Sequence, residues 1–175
     1  FRTALRRLNV AAWVLPSDEA PSPARLEFLG PTIAETYRVS GGSGALRDRL
    51  WHELDVAAGD VVVEKSAAGA FFPGRCDLPA LLEARGVDTV LVTGTVANVC
   101  CESTARDASQ LGYRVVMVAD ANAAMRDEDL NATLHTIYRS FGDVRSTDEI
   151  VGILARTSRA ISAASGSSVV SMRRS

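Results

Sequence analysis

VLVTGTVANVCCESTARDASQLGYRVVMVAD, residues 90–120, decides the fold. Val90 to Thr93 are apolar or β-branched, the pattern of a buried parallel strand. Gly94 breaks the run. Helical spacing follows from Val99 to Leu111, and it puts Cys100, Thr104, Ala108 and Leu111 on one face. Glu102 and Arg106 stand four apart in the order that favours a helical ion pair. Gly112 fits a helix stop, and Val115 to Ala119 form a second apolar run. The pattern is strand, tight loop, helix, strand. It puts a cysteine on the first turn of a helix, just past the C-terminal end of a parallel strand. Helix N-termini favour thiolates, and open α/β sheets bind ligands at the C-terminal ends of their strands.

Working outward, the spacing predicts further strands starting near Val10, Val61 and Val144. Helices are expected over Ala45–Leu54, Leu78–Arg85, Asp127–Ser140 and Ile150 to about Arg156. In the third of these, Leu130, Leu134, Ile137 and Tyr138 share the apolar face. Thr147, Asp148 and Glu149 supply the cap of the last. Phe1 to Leu8 reads as the end of a helix. Residues 17–31 read as loop because of Pro21, Pro23 and Pro31, and Thr36–Val39 as a short extended piece. Alternating strands and helices imply an α/β fold with a parallel sheet and right-handed crossovers. Residues 1–156 are expected to form one domain. Residues 157–175, rich in Ser, Ala and Gly, are expected to be a tail or an arm onto a partner.

Composition narrows the function. With 175 residues, 47% hydrophobic content and a net charge of −2, the chain has no general attraction for nucleic acid. No apolar run reaches the roughly 20 residues of a membrane span, and no secretory signal pattern opens the chain. Three cysteines, two of them adjacent, make no disulfide framework and point to reduced thiols in a cytoplasmic enzyme. Of the 19 Lys and Arg residues, Lys65 alone is lysine. A chain that uses Arg wherever a cation suffices, yet keeps one Lys at the end of a strand, either needs an amine there or retains it by chance.

Cys100 is open to two readings: a small buried apolar side chain, as most free cysteines are, or a nucleophile. The loop Gly94-Thr95-Val96-Ala97-Asn98 could aim backbone N–H groups at an anion, which favours the second. Cys101 lies roughly 100° further round the helix and reads as packing. Cys76, after a Pro-Gly turn, has no comparable setting. A cation from Lys65 beside Cys100 would stabilise a thiolate. His52 and His135 show neither a metal-ligand spacing nor a Cys-His pairing, so no metal or other cofactor is expected.

The segment TGTVANVCCESTARDASQLGYRVVMVADANAA resembles the signature of the isochorismatase-like cysteine hydrolases, which include nicotinamidase, N-carbamoylsarcosine amidase and ureidoacrylate amidohydrolase. The likeness extends to Gly59–Lys65 with Ala70-Phe71, to Leu81–Gly86, and to Phe141–Val144 with Ser146-Thr147, covering about residues 45–155. It implies a three-layer, Rossmann-like α-β-α fold around a mostly parallel sheet of about six strands. It also implies a catalytic Asp, Lys and Cys, with Cys100 the nucleophile and Lys65 the lysine. A cis peptide is implied at Val96–Ala97, turning the Ala97 N–H toward an oxyanion hole. Phe71 and Asn98 would line the substrate.

Some features depart from the pattern. The strand that carries the family's Asp has no counterpart here and is expected upstream of Phe1. Asp18 and Asp60 occupy the wrong kind of position to replace it. The family's nicotinamidases carry an Asp/His metal cluster after the second strand. Residues 16–21 hold no histidine, which disfavours that activity. Family members that act on vinyl ethers usually lack the cysteine, so Cys100 favours C–N cleavage of a small amide or carbamoyl compound. Vinyl-ether hydrolysis and a non-catalytic ligand-binding or scaffold role are the alternatives. The resemblance further implies a homo-oligomer that acts on a small molecule, without nucleic acid or membrane.

Overall fold

The computed structural model describes residues 10–17, 19 and 22–166. Five strands alternate with helices: β1 (Ala12–Pro16), β2 (Val61–Lys65), β3 (Thr89–Thr95), β4 (Arg114–Ala123) and β5 (Asp143–Arg145). All pair in parallel, so the α/β class read from the sequence holds. The resemblance implies about six strands, and five are present among the described residues. Among the described residues, β1 pairs with β2 in one sheet and β3-β4-β5 form another. The expected helix at Phe1–Leu8 lies outside the described residues.

The helices are α1 (Pro23–Leu29), α2 (Pro31–Val39), α3 (Leu78–Glu83), α4 (Glu102–Gln110), α5 (Asp127–Ser140) and α6 (Thr147–Gly166). Helices α1 and α2 correct the loop and extended readings of that region. Their prolines start the helices instead of breaking them. Pro23 and Pro31 are first helical residues, where a missing N–H costs nothing and the fixed φ already suits a helix. The Ser22 side chain accepts from Arg25 N at 3.3 Å, capping α1. The helix expected at Ala45–Leu54 is only a 3₁₀ turn, Leu46–Arg49. Arg49 explains why: its guanidinium turns inward to Gly41 O, Pro16 O and the Glu64 carboxylate, tying this loop to the ends of β1 and β2.

Helix α6 continues to Gly166, beyond the expected stop near Arg156. That stretch has no proline to end the helix, and Ala160, Ala163 and Ala164 favour one. Residues 167–175 of the expected tail lie outside the described set. The cap of α6 is a box in which Ser146 N donates to the Glu149 carboxylate at 2.8 Å and Glu149 N to Ser146 Oγ at 3.3 Å. Asp120 adds to it by accepting from Thr147 N and Oγ1, both at 2.8 Å.

The core lies between the strands and α3, α4 and α5, around Val61, Val63, Leu78, Leu82, Val92, Met117 and Ile137. Two assignments of apolar faces shift by a residue or so. Along α4 and the turn before it the buried line is Cys101, Ala105 and Ala108, while Leu111 is exposed. On α5 Thr133 is buried in place of Tyr138, which is exposed. A polar side chain takes the core position because its hydroxyl donates to Glu102 at 2.6 Å, satisfying what burial would otherwise leave unpaired.

Gly142 packs so closely on β4 that a Cβ there would overlap Val115 O and approach Val115 Cβ to 3.0 Å. We therefore expect Gly142→Ala to destabilise the fold by about 1–3 kcal/mol, the usual range for overpacking. Urea unfolding measures this, and an unchanged midpoint would refute the close packing.

Candidate active site

The C-terminal ends of β2 and β3 meet at two side chains. Lys65, the last residue of β2, is buried. Its Nζ donates to Ala67 O at 2.9 Å, Ala68 O at 2.6 Å and Cys100 Sγ at 3.3 Å. An ammonium has three N–H bonds, and here each has an acceptor. The acceptors converge on a point, which a planar guanidinium fork could not match. This geometry accounts for the one lysine in an arginine-rich chain.

Cys100 lies in a single π-helical turn, Ala97–Cys101, that leads into α4. Such turns occur often at functional sites. The turn hangs from one carbonyl: Val96 O accepts from Val99 N at 3.1 Å and Cys101 N at 3.3 Å. Cys100 is partly exposed and Cys101 buried, as their angular separation on a helix predicts. The environment separates them chemically. Burial, reinforced by the neighbouring Cys100 and opposed by Lys65, pushes the Cys101 thiol up to about 12. Burial also raises the Cys76 thiol. Among the described residues no carboxylate hydrogen-bonds to Cys100 Sγ or Lys65 Nζ.

The remaining site residues fall into place unevenly. The cis peptide is Thr95–Val96, one bond before the expected Val96–Ala97. Ala97 already opens the helical turn, whose Val99 and Cys101 N–H groups donate to Val96 O. Ala97 is wholly buried and belongs to the core. Phe71 is also a core residue, 2% exposed, with its ring edge-on to Tyr113 at 5.0 Å. It presents almost no surface of its own. Asn98 is exposed at the mouth of the turn. His52 and His135 are both exposed.

Sequence reasoning missed the second half of the site. Thr104 Oγ1 donates to Cys100 O at 2.6 Å and accepts from Ala70 N at 3.1 Å. Glu102 receives Thr133 Oγ1 on one oxygen and Arg106 on the other. Arg106 also lies over the Phe141 ring, 4.5 Å from its centre. A threonine four residues after a cysteine on a helix is a legible signal, since Ser and Thr bond back to the i−4 carbonyl. Its partner across the loop is not legible.

Known proteins resemble this chain in sequence and in fold. The isochorismatase domain model matches residues 25–149, and the chain belongs to that family. The isochorismatase family protein YwoC of Bacillus subtilis is 41% identical over 114 residues, 63% of this chain and 59% of that protein. The ureidoacrylate amidohydrolase RutB of Variovorax paradoxus is 34% identical over 122 residues, 69% of this chain and 46% of that protein. The chain thus spans less than two thirds of either relative. The crystal structure of a cysteine hydrolase from Pseudomonas syringae pv. phaseolicola superimposes with a TM-score of 0.75 at 28% identity, covering 89% of this chain and 76% of that one.

The two adjacent thiols should separate in an alkylation experiment. Iodoacetamide near neutral pH is expected to modify Cys100 while leaving Cys101 unmodified, because thiolates alone react and Cys101 titrates near 12. Peptide mass spectrometry reads the ratio. Equal labelling of the two would contradict the assignment.

Proposed function

We propose that the protein is a cysteine hydrolase that cleaves the C–N bond of a small amide or carbamoyl compound through a thioester. The observation that carries this reading is the 3.3 Å contact between Lys65 Nζ and Cys100 Sγ where two strands end. A buried ammonium at that distance stabilises the negative charge that develops on attack. The names of relatives, a ureidoacrylate amidohydrolase and a cysteine hydrolase, support C–N cleavage by a thiol.

In the proposed reaction Cys100 Sγ bonds to the carbonyl carbon and its proton passes to a base. The carbonyl electron pair moves onto oxygen, where backbone N–H groups of the Ala97–Cys101 turn receive it. The C–N bond breaks and ammonia or an amine leaves with a proton. Water then adds to the thioester and releases the acid and the thiol. The base is a carboxylate, as the resemblance implies, and among the described residues none hydrogen-bonds to Cys100 Sγ or Lys65 Nζ. A thiol nucleophile of this kind suits a reducing, cytoplasmic setting.

Cys100→Ala should remove turnover of small amides and ureides by several orders of magnitude while the fold persists. Lys65→Arg should lower kcat by about 10²–10³-fold. A panel of amides, ureides and isochorismate, followed by mass spectrometry, supplies the substrates. Vinyl-ether hydrolysis that survives alkylation of Cys100 would instead favour chemistry in which the thiol is a bystander.

A further inference from the structure

The loop after β2 faces α4 without a side chain between them. Gly69 is buried there, and a Cβ on it would overlap the Asp107 carboxylate and come to 3.2 Å from the Ser103 carbonyl carbon and oxygen. This close approach lets Ala70 N reach Thr104 Oγ1 at 3.1 Å. The same hydroxyl spends its one proton on Cys100 O at 2.6 Å. Upstream in the loop, Ala67 O and Ala68 O hold Lys65 Nζ, which in turn touches Cys100 Sγ. The contacts close a ring: Lys65, the Ala67-Ala68 carbonyls, Ala70, Thr104, Cys100 and back to Lys65.

We infer that Thr104 is a positioning residue that sets the separation of Lys65 and Cys100. A threonine bond to the i−4 carbonyl does little for a helix and tends to bend it, so that bond alone gives no reason for the residue. The second bond does, because it fastens the carbonyls that aim the lysine to the turn that carries the thiol. The hydroxyl serves both at once, as donor on one side and acceptor on the other. Neither Thr104 nor Gly69 touches the reacting atoms. Their effect passes through the loop. The kinetic part of this inference rests on the reading of Cys100 as nucleophile, and the labelling part does not.

The test uses Thr104→Val, which keeps the shape and removes both hydrogen bonds, with Thr104→Ser as the conservative control. Iodoacetamide labelling of Cys100 at pH 7 should be about tenfold slower in Thr104→Val, because Lys65 Nζ is no longer held at 3.3 Å from Cys100 Sγ. It should run at the wild-type rate in Thr104→Ser. Turnover should follow, with kcat about tenfold lower in Thr104→Val and KM within about twofold. General loosening of the fold would act the other way, exposing Cys101 to label. Gly69→Ala opens the same gap from the loop side and should also slow labelling, so the inference remains testable if Thr104→Val does not fold. Wild-type labelling of Cys100 in folded Thr104→Val or in Gly69→Ala would overturn the inference. So would Thr104→Ser labelling as slowly as Thr104→Val. Turnover that persists in Cys100→Ala would sink the proposed reaction and leave the labelling result standing.

Discussion

The burial of one ammonium shapes the site more than any other interaction. Removing a lysine head group from water costs several kcal/mol unless its donors are met. Lys65 meets them with two carbonyls two and three residues further on and with a thiol on another element. To present those carbonyls the chain must curl back at once after β2. Its backbone is fixed where it does so. Ser17 N donates to Lys65 O at 2.8 Å from the β1 side, and Ser66 N donates to Arg75 O at 2.9 Å. Cys76 bridges Lys65 in antiparallel fashion. The loop of residues 66–75 is thus closed at its base, held at its tip by the Thr104 hydroxyl, and filled by Phe71 from the core. A substitution at Lys65 would therefore affect the loop's conformation as well as the site's charge.

The other half of the site depends on a defect in the sheet. Val92 aligns with Met117 and Gly94 with Asn122, so Val118 to Ala121 of β4 stand opposite Thr93 alone. Such an excursion leaves carbonyls without ladder partners. The Asn122 amide meets two of them, donating to Val92 O at 3.0 Å and Val118 O at 2.7 Å. Its own Oδ1 is buried without a hydrogen-bond partner, a cost of about 1–3 kcal/mol. Two things are obtained in exchange. The excursion carries Asp120 out to the N-terminus of α6. It also lets β3 turn at Gly94, whose φ of +125° is a conformation that glycine alone adopts readily, into the loop before Cys100.

The sequence disclosed the strands well because their apolar runs are short, β-branched and bounded by Gly, Pro or Asp. The five strands observed start within about two residues of the positions read from those runs. Cys100 and Lys65 were legible for a similar reason: each stands at the end of such a run, and Lys65 has no other lysine to compete with it. The helices α1 and α2 were obscured by prolines, whose role depends on position: at the first turn they start a helix and in its interior they end one. The position of the cis bond and the burial of Phe71 both depend on how distant segments pack. No local pattern encodes them. The loop contact at Thr104 belongs to the same class, since neither Gly69 nor Ala70 carries a side chain that would mark it.

The turn bearing Cys100 is restrained on three sides, each by a different chemistry. Cys101 anchors it to the core by burial. Glu102 ties it to α5 through Thr133, a hydroxyl donating to a carboxylate where water is scarce. Thr104 ties it to the Lys65 loop. The three anchors are at successive and alternate positions, so they point to different sides of the helix and oppose rotation about its axis as well as translation. Cys100 itself is partly exposed on a side that none of these anchors covers. Rotation matters most here, because a helical turn that rolled by one residue would exchange the two thiols, bringing Cys101 out of the core and Cys100 away from the lysine. Two adjacent cysteines are compatible with a single reactive thiol only if that roll is prevented, and the Glu102–Thr133 and Thr104–Ala70 bonds are the contacts placed to prevent it.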